Sequence, residues 1–251
     1  MIARTTDRLL ARFAVELAAT SPRPVPARPD LSAFDEPARE AARYAWASRI
    51  VDEYRSVAVF SELLGLLTDL AAPIDALCAV QRLIGDELRH TELTAEIVDW
   101  LGGAYAVDLR DVALPPRGAD ETRAGRAQRI VARELVVGEE ESLHVLAAYR
   151  DATTEPAIRD VLGIVLVDEV RHAATGRALL ALFTDGPLAD EPGLLDGPAL
   201  DRLMRDDRAA LRADYLRAAR PGPGRALGAC VDVTDLERAW QRSRSTKLAA
   251  A

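Results

Sequence analysis

The same five-residue pattern occurs twice, as Asp86-Glu87-Leu88-Arg89-His90 and as Asp168-Glu169-Val170-Arg171-His172. No other feature restricts the fold as much. Each copy sits in the middle of a long stretch with helical spacing. On a helix, Glu and His three residues apart share one face a turn apart, so both can reach inward toward one metal pair. The third histidine, His144, also follows a glutamate by three residues (Glu141) but lacks the flanking Asp and Arg. A surface or packing role is expected for it.

Turn chemistry sets four long helical patterns around the pentads. They run from about Asp35-Glu36-Pro37 to Leu70, from Pro73 to Leu101 before Gly102-Gly103, from about Asp120 to Arg150, and from Thr154-Glu155-Pro156 to Phe183 before Asp185-Gly186. The first and last links are short, which predicts antiparallel neighbours; the middle link is long and carries Pro115-Pro116. A short helix is expected from Thr6-Asp7, with Leu9, Leu10, Phe13 and Leu17 on one side, followed by a proline-rich strap from Ser21 to Pro26. After Gly186 come a polar helix from about Pro198 to Arg220 and a small one from Thr234, with fraying from about Ser243. The expected organisation is a segment 1–34, a four-helix bundle 35–186 and a helical extension 187–251 packed on it.

Composition agrees with an all-α class. Of 251 residues 49% are hydrophobic and only 5% aromatic, whereas β-rich cores draw on β-branched and aromatic residues. The net charge of −8 argues against a nucleic-acid surface. No apolar run is long enough for a membrane span, and Arg12 and Glu16 interrupt the stretch that would serve as a signal-peptide core. Cys78 and Cys230 stand alone, which excludes a disulfide framework or zinc ribbon and points to a cytoplasmic setting. Cys78 is expected to be a buried small hydrophobe.

Two more glutamates lie level with the pentads. Glu87 is 14 residues past Pro73, or about 21 Å along its helix at 1.5 Å per residue. On the preceding antiparallel helix Glu53 reaches nearly that height, while Glu62 lies too near the turn. On the third helix Glu139, Glu140 and Glu141 differ little in height, and helical facing does not separate Glu139 from Glu140. The parallel between Glu53-x-x-Ser56 and Glu139-x-x-Ser142 favours Glu139. Glu134, Glu140 and Glu141 are then solvated or support the ligands from behind. Four glutamates and two imidazoles converging in a bundle suit two divalent ions, because +4 neutralises −4 where four bare carboxylates would not be buriable.

The set Glu53, Glu87-x-x-His90, Glu139 and Glu169-x-x-His172 resembles the ferritin-like di-iron carboxylate superfamily, whose bundles carry this ligand arrangement. Between about Trp46 and Phe183 the chain is similar to a group of bacterial ferritin-like domain proteins, although Tyr54 stands where that group commonly has His. The pentads also resemble those of di-iron oxygenases and acyl-carrier-protein desaturases. This resemblance implies a ferritin-like antiparallel four-helix bundle with a long crossover between its second and third helices. It also implies that Asp86 and Asp168 orient the ligand histidines while Arg89 and Arg171 hold the aspartates. Sequence leaves open whether Asp86 serves His90 on its own helix or His172 across the bundle.

The functional expectation is a non-haem di-iron, or Mn/Fe, oxidase or oxygenase that uses O2 on a small, largely apolar organic substrate. Its catalytic and metal residues are Glu53, Glu87, Glu139 and Glu169 with His90 and His172. Ser56, Phe60, Thr91, Ser142, Leu143 and Leu146 are candidates for a substrate pocket. The partners expected are a small molecule and an electron donor, with no nucleic acid and no membrane, and a homodimer is a candidate assembly. The alternatives are a ferroxidase or peroxide-handling protein and, third, a bundle stapled by a structural metal.

Overall fold

The computed structural model describes residues 24–103, 107–109, 112 and 114–249, with helix backbone alone over 243–249. The expected helix from Thr6-Asp7 lies outside the described residues. Among them the chain is all-helical, with no strand. Helix α1 (Glu36–Asp69) is followed by α2 (Ile74–Trp100) after a four-residue turn. Helix α3 is continuous but not uniform: an α-helical start (Arg123–Ile130), a π-helical segment (Val131–Gly138) and an α-helical end (Glu139–Ala152). Helix α4 (Pro156–Thr184), α5 (Gly197–Ala218), a 3₁₀ turn (Arg225–Leu227) and α6 (Val233–Ala249) complete the chain.

The start signals act as their chemistry predicts. Asp35, Glu155 and Asp196 accept hydrogen bonds from the backbone N–H groups of Ala38, Ile158 and Ala199 at 2.7–2.9 Å. In each case a proline stands in the first turn, where its missing N–H costs nothing. Boundaries differ from expectation mainly at the C-terminus, where the last helix spans 17 residues and runs through the segment expected to fray. Cys78 is exposed, not buried.

Helices α1 and α2 pack along their length, as do α3 and α4; α2 also meets α4, and the start of α3 meets α1. Two apolar clusters result. One contains Trp46, Ile50, Leu93, Ile97, Ile158 and Val165; the other contains Phe60, Leu63, Leu83, Val136 and Leu179. Each fully buried large side chain contributes about 1.5–3 kcal/mol of hydrophobic stabilisation. On every one of the four helices, the switch from one cluster to the other occurs across a short polar interval. That interval holds Glu53 on α1, Glu87 and His90 on α2, Glu139 on α3, and Glu169 and His172 on α4.

The long link between α2 and α3 is tied down by buried Arg126, which donates to the carbonyls of Pro115 and Pro116 and to the Glu62 carboxylate. Where α4 crosses the π-helical segment the backbones come close. A Cβ on Gly176 would lie 2.8 Å from Leu135 Cβ and 2.9 Å from its carbonyl carbon. Helix α5 lies against the π-helical segment and α6 against the end of α3. The 3₁₀ turn docks on α1 through a 2.8 Å hydrogen bond from Trp46 Nε1 to the Leu227 carbonyl. No helix among the described residues is long and apolar enough to cross a membrane.

Candidate metal centre

The polar interval is a set of convergent ligand atoms. Glu87, Glu139, Glu169 and His172, all buried, place one ligand atom each within 4.8 Å of one another. Glu53, His90 and Glu169 form a second group on the same criterion. Glu53 is the only one of these side chains with more than slight contact with solvent, at 17% exposure.

Two carboxylates join the groups. Glu87 turns Oε1 toward His172 Nδ1 at 3.1 Å and Oε2 toward His90 Nδ1 at 3.8 Å. Glu169 turns Oε2 toward His172 Nδ1 at 3.4 Å and Oε1 toward His90 Nδ1 at 3.5 Å. Each glutamate therefore spans the gap between two imidazoles whose ring centroids are 5.7 Å apart. The donor set suits hard or borderline divalent ions of the iron and manganese type.

The cluster is not satisfied on its own. His90 Nδ1, His172 Nδ1, His172 Nε2 and Glu169 Oε2 are buried without a hydrogen-bond partner. Buried polar atoms are normally paired, and orphans of this kind call for an ion or another explanation. Three of the four face the interior of the ligand groups. The residues present therefore fit a bound metal ion.

Electrostatics point the same way. Burial pushes the Glu53 carboxyl up to about 7 against the pull of His90. Glu139 is held well above the usual carboxylate range by burial and by Glu169. Burial also acts to raise Glu87, but hydrogen bonds with His172 and His90 win and hold it at about 2. Both imidazoles are held protonated well above their ordinary value, because the surrounding carboxylates outweigh the burial penalty. Without cations, the cluster keeps protons in their place.

Behind the histidines the aspartates cross the bundle. Asp168 lies 3.3 Å from His90 Nε2, and Asp86 lies 3.5 Å from His172 Nε2. Neither serves the histidine of its own pentad. Arg171 bridges the two aspartates, at 2.9 Å to Asp86 and 2.8 Å to Asp168. Arg89 departs from the expected role: it pairs with Glu92, and its Nε is buried without a partner. Its place on Asp86 is taken by Arg82, one turn earlier on α2, at 2.9 Å. Two arginines and the His172 contact overcome burial and hold Asp86 down at about 2.

The other sequence candidates fall in varied places. Glu140 points away from the centre and pairs with Arg177 and Arg208, which separates it from Glu139. Glu134 pairs with Arg55, and Glu62 with Arg126 and Arg117. Glu141 corrects the expectation of a solvated or supporting glutamate: it is 1% exposed and receives hydrogen bonds from Arg208, Arg212 and Trp240 Nε1. It clasps α5 and α6 to α3. Charge pairing between Glu140-Glu141 and the arginines of α5 is the one signal by which the sequence offered this.

His144 belongs to neither ligand group, and Tyr54 is half-buried outside both. Ser56, Ser142, Leu143 and Leu146 are half-buried, and Leu146 packs against the Trp46 cluster. Ser142 Oγ donates to the Glu139 carbonyl and lies 3.5 Å from its Oε2. Phe60 instead fills the apolar core, and the Thr91 hydroxyl is engaged by the Glu87 carbonyl at 2.9 Å. Compared with family models, curated proteins and solved structures, the chain matches none.

Proposed function

We propose that the protein is a ferritin-like di-iron, or Mn/Fe, oxidase or oxygenase that uses O2 to oxidise a small, largely apolar organic molecule. The observation that carries this reading is the pair Glu87 and Glu169, each of which turns its two oxygens toward different imidazoles. Two redox-active ions held there would supply the electrons that reduce O2, replenished by an external electron donor.

The chain's own residues divide the remaining work. Glu53, Glu87, Glu139 and Glu169 would hold and neutralise the ions together with the Nδ1 atoms of His90 and His172. Asp168, 3.3 Å from His90 Nε2, holds the proton there and so selects the tautomer that leaves Nδ1 free to ligate, and Asp86, 3.5 Å from His172 Nε2, is placed to do the same for the second imidazole. The apolar clusters on either side restrict water to the Glu53 edge of the charged layer. Val57 on α1 and Leu143 on α3, each half-buried and four residues past a candidate ligand glutamate, are the side chains proposed to meet an apolar substrate.

The test is to load the protein anaerobically with ferrous iron, then expose it to O2 with and without candidate substrates. The reading expects two irons per chain and O2 uptake limited to that amount until a substrate and a reductant are added. Uptake of many irons per chain with growth of a mineral would establish iron handling instead. An iron-loaded protein that never consumes O2 would leave the metal with a structural role.

A further inference from the structure

We infer that the two metal positions are unequal: the position of Glu87, Glu139, Glu169 and His172 fills first and retains its ion, whereas that of Glu53, His90 and Glu169 fills last and exchanges with solution. This rests on the metal-centre reading and assigns an order within it. Three observations carry it.

The first is the ligand count. Four side chains converge on the His172 position and three on the His90 position within the same 4.8 Å limit. Glu87 leans the same way, with Oε1 3.1 Å from His172 Nδ1 and Oε2 3.8 Å from His90 Nδ1.

The second is solvent. All four side chains of the His172 group are buried, whereas Glu53 keeps 17% of its side chain exposed. A carboxylate at the edge can trade its ion for water, so the His90 position has an exit that the other lacks.

The third is the distribution of orphaned atoms. Glu169 Oε2 and His172 Nδ1, which face each other at 3.4 Å in the inner group, are both buried and unpaired, and His172 Nε2 on the far side of the ring is unpaired as well. Around His90 only Nδ1 is orphaned, since Nε2 reaches Asp168. The aspartate contacts favour His90 slightly, 3.3 Å against 3.5 Å. That difference opposes the order, which is set by the closer approach of Glu87 to His172 and by the exposure of Glu53.

Cobalt(II) is the probe, titrated calorimetrically and by its visible absorption into the full chain stripped of metal. The wild type should bind in two steps whose dissociation constants differ on the order of tenfold or more, the size that even an outer-layer partner can contribute. Glu53→Gln should erase the weak step and leave the tight one, and Glu139→Gln should weaken the tight step. A chelator should remove one ion quickly and the other slowly. Circular dichroism checks that each variant is folded, and the partly exposed Glu53 is the safer of the two substitutions. A single step with equal sites, or a Glu53→Gln variant that loses the tight step, would overturn the inference while leaving the metal centre standing. A folded wild type that binds no cobalt, iron or manganese would overturn the metal centre itself, and the inference with it.

Discussion

Asp168 on α4 reaches Nε2 of His90 on α2 at 3.3 Å, so an aspartate four residues from one ligand histidine serves the other. The two pentads are interlocked through this crossing, and Arg171 closes the arrangement by contacting both aspartates. Neither α2 nor α4 can rotate without disturbing the imidazole held by its partner.

Removing these aspartates should therefore weaken metal binding without unfolding the protein. Asp168→Ala should lower affinity on the order of 10- to 100-fold, with the loss falling mainly on the His90 position. Asp86→Ala should act on the His172 position. Metal titration with each variant checks both, and a variant with wild-type affinity would show its aspartate to be a surface charge.

Adjacent glutamates on α3 should behave differently. Glu139→Ala should lose bound metal, because Glu139 is a member of the inner ligand group. Glu140→Ala should keep wild-type metal content, because Glu140 pairs outward with Arg177 and Arg208. Elemental analysis of the two purified variants decides the matter.

Glu141→Gln should destabilise the fold by about 2 kcal/mol, since a buried carboxylate that accepts charge-assisted hydrogen bonds from two arginines is replaced by a weaker acceptor. The loss should appear as a lower urea midpoint and as earlier protease cleavage in α5 or α6. An unchanged midpoint would mean that apolar packing around Trp240 alone holds these helices.

Metal affinity should rise with pH through the neutral range. In the metal-free cluster both imidazoles hold protons well above their ordinary value, and the Glu53 carboxyl titrates near 7. An incoming ion must displace these protons, so acid competes with metal. Each proton released per ion makes binding about tenfold tighter per pH unit. Competition titrations at slightly acid and slightly alkaline pH, with proton release measured in weak buffer, test the sign; affinity independent of pH would refute it.

Much of the centre was legible because it depends on helix rise and turn chemistry. Asp35, Pro37, Pro73 and Pro156 mark where helices begin, and 1.5 Å per residue then places Glu53 and Glu87 at one level. The choice between Glu139 and Glu140 was harder for a physical reason. Facing arguments assume 3.6 residues per turn, and the π-helical segment just before Glu139 breaks that period. Asp86 and Asp168 were visible as candidates, but which imidazole each serves depends on how α2 and α4 sit against each other. Arg82 was invisible because it lies outside the pentad, one turn away. The Arg89 role failed because pattern symmetry does not guarantee symmetric surroundings: Arg171 already reaches both aspartates.

The π-helical stretch sets the angular phase of everything that follows it on α3. Beyond it, every residue of α3 carries its side chain in a direction set by the wider coil of Val131–Gly138. Letting the stretch tighten into ordinary α-helix at unchanged length would turn the C-terminal half of α3 by roughly 100° for each extra residue the wider coil absorbs. Glu139 would swing off the inner ligand group and Glu141 off its arginines in the same motion. Losing one residue along with the tightening would largely cancel that turn, so the length of this segment and its wide coil are matched to each other in placing both glutamates.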